Sequence, residues 1–180
     1  MNSRFAVLDA CVLVNFSLCD TLLRLAEPAV LYEPKWSEEI MLETVRTLES
    51  KLDWPTSLTA HFESELRAHF SEAWIRGYEP LVSRVTNHWK DRHVLAAAIH
   101  AGAETIVTFN LRDFRSTDLE PWDVRVLHPQ DFLIELWRRF PVEVFSKLER
   151  QAADRGRDLA QLLKVLGKTV PDFVDVVLRG

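Results

Sequence analysis

The sequence predicts an α/β domain in three layers, a central mostly parallel sheet with helices on both sides, followed by a C-terminal helical extension. Three observations carry this. Short apolar runs alternate with amphipathic segments from Phe5 to Phe140, the pattern of a parallel sheet whose strands are joined by helices. The stretch Lys90–Phe114 puts a helix, a glycine stop and a strand buried on both faces in immediate succession. Beyond Pro141 every pattern is helical. The expected division is therefore 1–140 for the α/β domain and 141–180 for a helical extension packed on it.

The elements follow in chain order. Phe5–Leu8 is a short apolar run ended by Asp9, the first strand. A helical segment runs from about Cys11 to Ala26, with an irregularity near Asn15–Ser17 and Asp20-Thr21 as a cap for its second piece. Ala29–Tyr32 is the expected second strand, stopped by Pro34. Ser37 caps a helix from Glu38 to about Ser50, with acids in its first turn and a core stripe of Met41, Val45, Leu48 and Leu52. Trp54-Pro55 breaks the chain before a helix from Thr56 to about Ser71, amphipathic through Leu58, Phe62, Leu66 and Phe70. Glu72–Trp89 is irregular.

Asp91 then opens an Ala-rich helix stopped by Gly102, and Thr105–Phe109 is the core strand. Arg115–Asp123 reads as a loop and Val124–Leu127 as a last strand. Pro129 starts a helix that buries Phe132, Leu133, Leu136 and Trp137. The tail holds helices at Val142–Ala153, Leu159–Leu166 and Val170–Leu178.

At 47% hydrophobic and 27% charged over 180 residues, the chain can bury a real core. No apolar run approaches a membrane span, and Asp9 interrupts the apolar N-terminus too early for a signal sequence, so the expected location is cytoplasmic. Cys11 and Cys19 fit neither a zinc motif nor a disulfide, and the six histidines lack paired metal spacing; His61, His69 and His100 read as surface or partial packing. The net charge is −5. Of 22 Lys+Arg and 27 Asp+Glu the tail takes 7 and 6, which leaves 15 and 21 in the first 140 residues; the acidity lies in the α/β part. An acidic protein handles nucleic acid when its carboxylates are gathered around metal ions, which reverse the local field.

The placement of the acids points there. Asp9 follows the first strand, Asp91 opens the helix before the core strand, and Asn110 and Asp113 follow that strand. Glu39 and Glu43 lie one turn apart on the helix after the second strand, and the helix pattern does not choose between them. Like charges at this spacing cost a few tenths of a kcal/mol (about 0.2–0.5) unless something positive sits near them. Alone, Asp91 reads as a first-turn acid and Asp113 as a turn residue. Together, the carboxylates converge at the carboxyl edge of a parallel sheet, where ligands bind. Such a cluster selects hard divalent ions, which activate water and stabilise the leaving oxygen of a phosphodiester.

The sequence resembles the PIN domain, the metal-dependent ribonuclease fold of VapC-type toxins in toxin–antitoxin systems. The matching segments are Val7–Leu13, Ser37–Glu43, Lys90–Ala97 and Val107–Phe114, in the family's order over about residues 5–140. The resemblance implies a PIN-like three-layer fold and an Mg²⁺- or Mn²⁺-dependent endoribonuclease. It also implies an RNA substrate, a cognate antitoxin and a homodimer. The family's catalytic and metal-holding acids fall on Asp9, Glu43, Asp91 and Asp113, which selects Glu43 over Glu39. Asn110, Thr108, Arg92 and Arg112 are the expected supporting and substrate-binding residues, with His93 beside them as a phosphate contact.

Two positions depart from the family pattern. Cys11 stands where many relatives have a hydroxyl or amide, and Asn110 where many have Asp, so Asp113 takes the metal role with Asn110 as its hydrogen-bonding neighbour. Other Asp-after-strand-one folds fit less well. A dehalogenase-like site wants a second Asp at Cys11, and a receiver domain wants a Lys after Val107–Phe109. The remaining alternative is a PIN fold without turnover, acting through RNA or protein contacts.

Overall fold

The computed structural model describes residues 5–28 and 30–180. Its centre is β1 (Phe5–Leu8), in which Ala6, Val7 and Leu8 are all but fully buried. A strand so apolar must be covered on both faces and paired on both edges. It pairs in parallel with β2 (Glu33–Ser37) on one side and β4 (Thr105–Val107) on the other, with Val7 opposite Lys35 and Ile106. β3 (Trp74–Ile75) and β5 (Arg125–Leu127) complete an all-parallel five-stranded sheet of order β3-β2-β1-β4-β5. Helices flank it, giving the three-layer α/β/α architecture of a PIN-like fold.

The chain leaves β1 toward β2 and later returns on the opposite edge as β4, so the strand order reverses at β1. That is the switch point at which a parallel sheet opens a crevice beyond its carboxyl ends. The ladder runs slightly past the strands: Asp9 N–H donates to the Val107 carbonyl at 3.1 Å and Thr108 N–H to Leu127 at 3.0 Å. Asp9, at the crevice, and Thr108, buried behind it, are thereby held with the precision of strand residues.

After β1 come α1 (Ala10–Leu13) and α2 (Phe16–Ala26). The break between them is at Asn15, whose side chain accepts from Leu18 N–H; Asn15, not Asp20-Thr21, is the cap. Asp20 lies inside α2 and pairs with Arg24 and Arg155.

The second strand is displaced from its expected place. Ala29 lies outside the described residues. Leu31 and Tyr32 are buried as anchors of a turn, with the Tyr32 hydroxyl donating to the Leu22 carbonyl at 2.9 Å, and the strand begins only at Glu33. Pro34 is tolerated because β3 pairs only with Trp36 and Ser37, so β2 is an edge strand at the level of Pro34.

Ser37 caps α3 (Glu38–Leu52), its hydroxyl accepting from Ile40 N–H. α4 (Thr56–His69) follows. Leu52 and Leu58, expected in the core, are 51% and 42% exposed, so the buried stripes are narrower than the periodicity implies. The irregular segment contains β3 and a single turn, α5 (Glu79–Val82).

α6 (Arg92–Ala101) crosses the sheet against β1, β2 and β4. Val94 through Ala98 are fully buried, and the three consecutive alanines let the helix approach the strands closely. The expected loop at 115–123 holds α7 (Ser116–Leu119), nucleated by Asp118, which accepts from Arg115 N–H and from the Thr86 hydroxyl. The first anchor is a local capping contact; the second, 32 residues away, is invisible to a local pattern.

α8 (Pro129–Arg139), α9 (Pro141–Asp154), α10 (Leu159–Leu166) and α11 (Pro171–Arg179) close the chain. α9 lies on α2 and α11 on α8. At the first contact the Thr21 hydroxyl donates to buried Gln151 at 2.8 Å, and Lys147 donates to the carbonyls of Arg24, Glu27 and Pro28 at the end of α2. Phe173, Leu162 and Leu166 are buried, each worth about 1.5–3 kcal/mol of apolar transfer. Among the described residues no helix is long and apolar enough to cross a membrane.

Gly102 ends α6 at φ 63°, and a Cβ built there would meet nothing within 4 Å. The cost of Gly102→Ala is therefore conformational alone. Urea denaturation should show a loss of about 1–2 kcal/mol with an unchanged slope.

Candidate metal centre

Asp9 stands between β1 and α1. One carboxylate oxygen accepts from Ala10 N–H at 2.7 Å; the other accepts from the Thr108 hydroxyl at 2.6 Å and the Cys11 thiol at 3.3 Å. Asp9 is 2% exposed and Thr108 fully buried. The Thr108 oxygen also accepts from Asn110 N–H at 3.0 Å, and Cys11 Sγ accepts from Phe109 N–H at 3.3 Å. Burial, then the charge of Asp9, pushes the Cys11 thiol up to about 12, so it stays protonated and serves as a neutral donor. The residue that departs from the family pattern thus sits inside the hydrogen-bond set around the first Asp.

Asp91 occupies the N-cap position of α6 but makes no capping bond, which leaves its carboxylate free for the crevice. Burial, then the charges of Asp9 and Asp113, raises it to about 6 against the weaker opposing pull of His93 and His88. Asp113 ends the single 3₁₀ turn Leu111–Asp113, and its carbonyl accepts from His88 N–H at 3.0 Å. One ligand atom from each of His88, Asp91 and Asp113 lies within 4.8 Å of the others.

Glu43 reaches the site from α3. With Asp9, Cys11, Asp91 and Asn110 it lines a cleft of about 410 Å³, whose wall also carries Arg46 and Lys51. Asp91 is the shared member: it lines the cleft with Asp9 and Glu43 and clusters with His88 and Asp113.

The two like charges on α3 are reconciled by His93. The imidazole is 5% exposed, with Nε2 at 3.4 Å from Glu43 and Nδ1 at 3.8 Å from Glu39; neither contact has hydrogen-bond geometry. Burial opposes a charge there, but Glu43, Glu39 and Asp9 outweigh it and raise the pKa. His93 is therefore a buried partner of the two glutamates, with its ring enclosed where the sequence reading expected a phosphate contact. Glu39 also accepts from the Tyr78 hydroxyl at 3.1 Å, which turns it away to a second partner.

Of the expected supporting residues, Thr108 holds Asp9, and the Asn110 side chain is exposed at the cleft. Arg112 is exposed beside Asp113. Arg92 is half-buried and commits its Nε to the Asn87 carbonyl at 3.2 Å. Sequence reading missed His88, Arg46 and Lys51. The only local signal for His88 is its i,i+3 spacing to Asp91; Arg46 and Lys51 lie one and two turns beyond Glu43.

The donor set fits a divalent cation. Carboxylates from separate segments crowd one crevice, and the repulsion that raises Asp91 is what a cation would relieve. Because the folded-state value of Asp91 lies above that of an unfolded chain, its stabilising contribution is full below about pH 4 and is lost as pH rises through about 6. In EDTA at pH 7.5, Asp91→Asn should therefore be more stable than wild type. Discounted for partial solvent exposure, the gain is roughly 1 kcal/mol, or about 2–4 °C in Tm. The difference between the two proteins should shrink at pH 4.5 in the same thermal melts.

No family model matches the chain. Over 104 residues it is 39% identical to a protein of Mycobacterium tuberculosis named "Putative ribonuclease VapC50", a match covering 56% of this chain and 62% of the relative. The chain thus spans about three fifths of that protein's length. With the five-stranded parallel sheet, this identity bears out the resemblance read from the sequence: the chain has a PIN-like α/β/α fold and over these 104 residues is similar to a VapC protein.

Proposed function

We propose that the chain is a Mg²⁺- or Mn²⁺-dependent endoribonuclease and the toxin of a toxin–antitoxin pair, acting in the cytoplasm. The observation that supports the reading is the position of Asp91, which lines a cleft with Asp9 and Glu43, clusters with Asp113, and feels the charges of both Asp9 and Asp113.

Asp9, Asp91, Asp113 and Glu43 would hold the ion. When bound, it supplies a Lewis acid that activates water and stabilises the leaving 3′-oxygen, so that the products carry 5′-phosphate and 3′-hydroxyl ends. The chain's own residues do the rest. Thr108 and Ala10 N–H fix the Asp9 carboxylate so that its lone pairs point one way. His93 keeps Glu43 beside the cleft against its repulsion from Glu39. Arg46 and Lys51 offer cations to the RNA backbone on one wall, and Asn110 and Arg112 offer donors near Asp91 and Asp113. In this reading residues 141–180 are a helical extension of a PIN-like domain comprising 1–140. It braces α2 and α8 and leaves the cleft open, and a homodimer and a cognate antitoxin are the partners.

Purified protein incubated with a mixed RNA pool should cut it with Mn²⁺ or Mg²⁺ and not with EDTA. Asp9→Asn and Asp91→Asn should each lose at least about a hundredfold in rate. RNA binding without cleavage by folded, metal-supplied wild type would instead support the non-catalytic PIN module. Thr108→Val should weaken ion affinity about 10–100-fold by calorimetry, and Thr108→Ser should recover most of it, since only the hydroxyl orients Asp9.

A further inference from the structure

The carboxylates account for a hard-ion site, but they leave one neighbour unexplained. His88 is tied into the centre by its backbone at both ends. Its N–H donates to the Asp113 carbonyl at 3.0 Å, and its own carbonyl accepts from Asp91 N–H at 2.9 Å. The residue is thus stapled between the two acids that follow it in the chain. Its ring faces the same space: Nδ1 lies 3.5 Å from Asp91 Oδ2, at hydrogen-bond margin rather than in a formed bond. Two donors that share one first-row or alkaline-earth ion at about 2.0–2.2 Å each lie no more than about 4.4 Å apart. The His88–Asp91 separation falls within that span; Asp113 lies within 4.8 Å of both, a few tenths of an ångström beyond it at most, which a side-chain adjustment on ion binding would close.

We propose that His88 is a nitrogen ligand of this centre and that it biases the site toward Mn²⁺ over Mg²⁺. The inference rests on the reading of the crevice as a metal centre and specifies its donor set. The chemical argument is softness. An all-oxygen site discriminates poorly between the two ions. An imidazole contributes far more to binding Mn²⁺ and later first-row ions than to binding Mg²⁺, which keeps its oxygen shell and dehydrates reluctantly. His88 also fits as a ligand that can be removed without unfolding: its side chain is 42% exposed, and the turn is closed by its backbone, which any residue supplies.

The test is calorimetry of EDTA-stripped, dialysed wild type and His88→Ala with Mn²⁺ and with Mg²⁺, alongside electron spin echo spectra of the Mn²⁺-loaded proteins. Wild type should prefer Mn²⁺ and show a nitrogen coupling. His88→Ala should lose at least about tenfold of that preference, the loss already seen when a group one shell further out is removed. Its Mg²⁺ affinity should move by less than about threefold, and its nitrogen coupling should vanish. An unchanged Mn²⁺/Mg²⁺ ratio in His88→Ala overturns the proposal, as does a nitrogen signal that persists, which would assign the nitrogen to His93. Wild type that binds both ions without nitrogen coupling overturns it too, leaving His88 as an ion-pair partner of Asp91 and the metal centre intact. Wild type that binds neither ion at millimolar concentration removes the metal centre itself and this ligand with it.

Discussion

The hydrogen bond from Thr108 to Asp9, 2.6 Å long and buried at both ends, joins the ends of the two central strands and sets the geometry of everything beyond them. It exists because β1 and β4 are neighbours in register, so the residues that follow them emerge side by side. A carboxylate left so buried without donors would cost several kcal/mol. Here both oxygens are satisfied from groups the strand pairing already holds in place. The same pairing forces the reversal of strand order, and the reversal makes the crevice.

Onto this fixed pair the chain adds acids whose mutual repulsion it only partly neutralises. Asp91 gives up a helix cap to face the crevice and feels both Asp9 and Asp113. Glu43 and Glu39 share a buried histidine brought from a different helix. The two devices differ in kind. His93 is an internal partner, buried between the two glutamates, whose carboxylates favour its protonated form. At Asp91 the pull of His93 and His88 is outweighed by burial and by Asp9 and Asp113, so the carboxyl stays raised, a strain that a cation would relieve. Stability is thus spent where binding would recover it, the pattern expected of a site built for an ion.

For the proposed ribonuclease, the cluster also accounts for how an acidic chain would meet RNA. The excess of acids lies in the α/β part, where Asp9, Glu43 and Asp91 line the cleft and Arg46 and Lys51 stand on its wall. A bound divalent ion reverses the field at the crevice floor and leaves the cations of the wall to the phosphates.

By itself the sequence determined most of the periodic elements and offered four acids as candidates. β1, the Ser37-capped α3, the α6–Gly102–β4 module and the tail helix Leu159–Leu166 are legible because each has a local cause: an apolar run, a capping side chain, a glycine at φ 63°. Asp9, Asp91 and Asp113 stand out because they sit at element ends, and Glu43 because the resemblance selects it. Tertiary structure decided the rest. A two-residue β3 exists only through its pairing with β2, the α7 turn adds distant Thr86 to its local Arg115–Asp118 cap, and β2 begins at Glu33 because its pairing with β1, not its own apolarity, sets its register. The partnerships of His93 with Glu43 and of His88 with Asp113 likewise join separate elements. No local pattern records them, because the distances that create them are fixed only when the sheet has brought those elements to one edge.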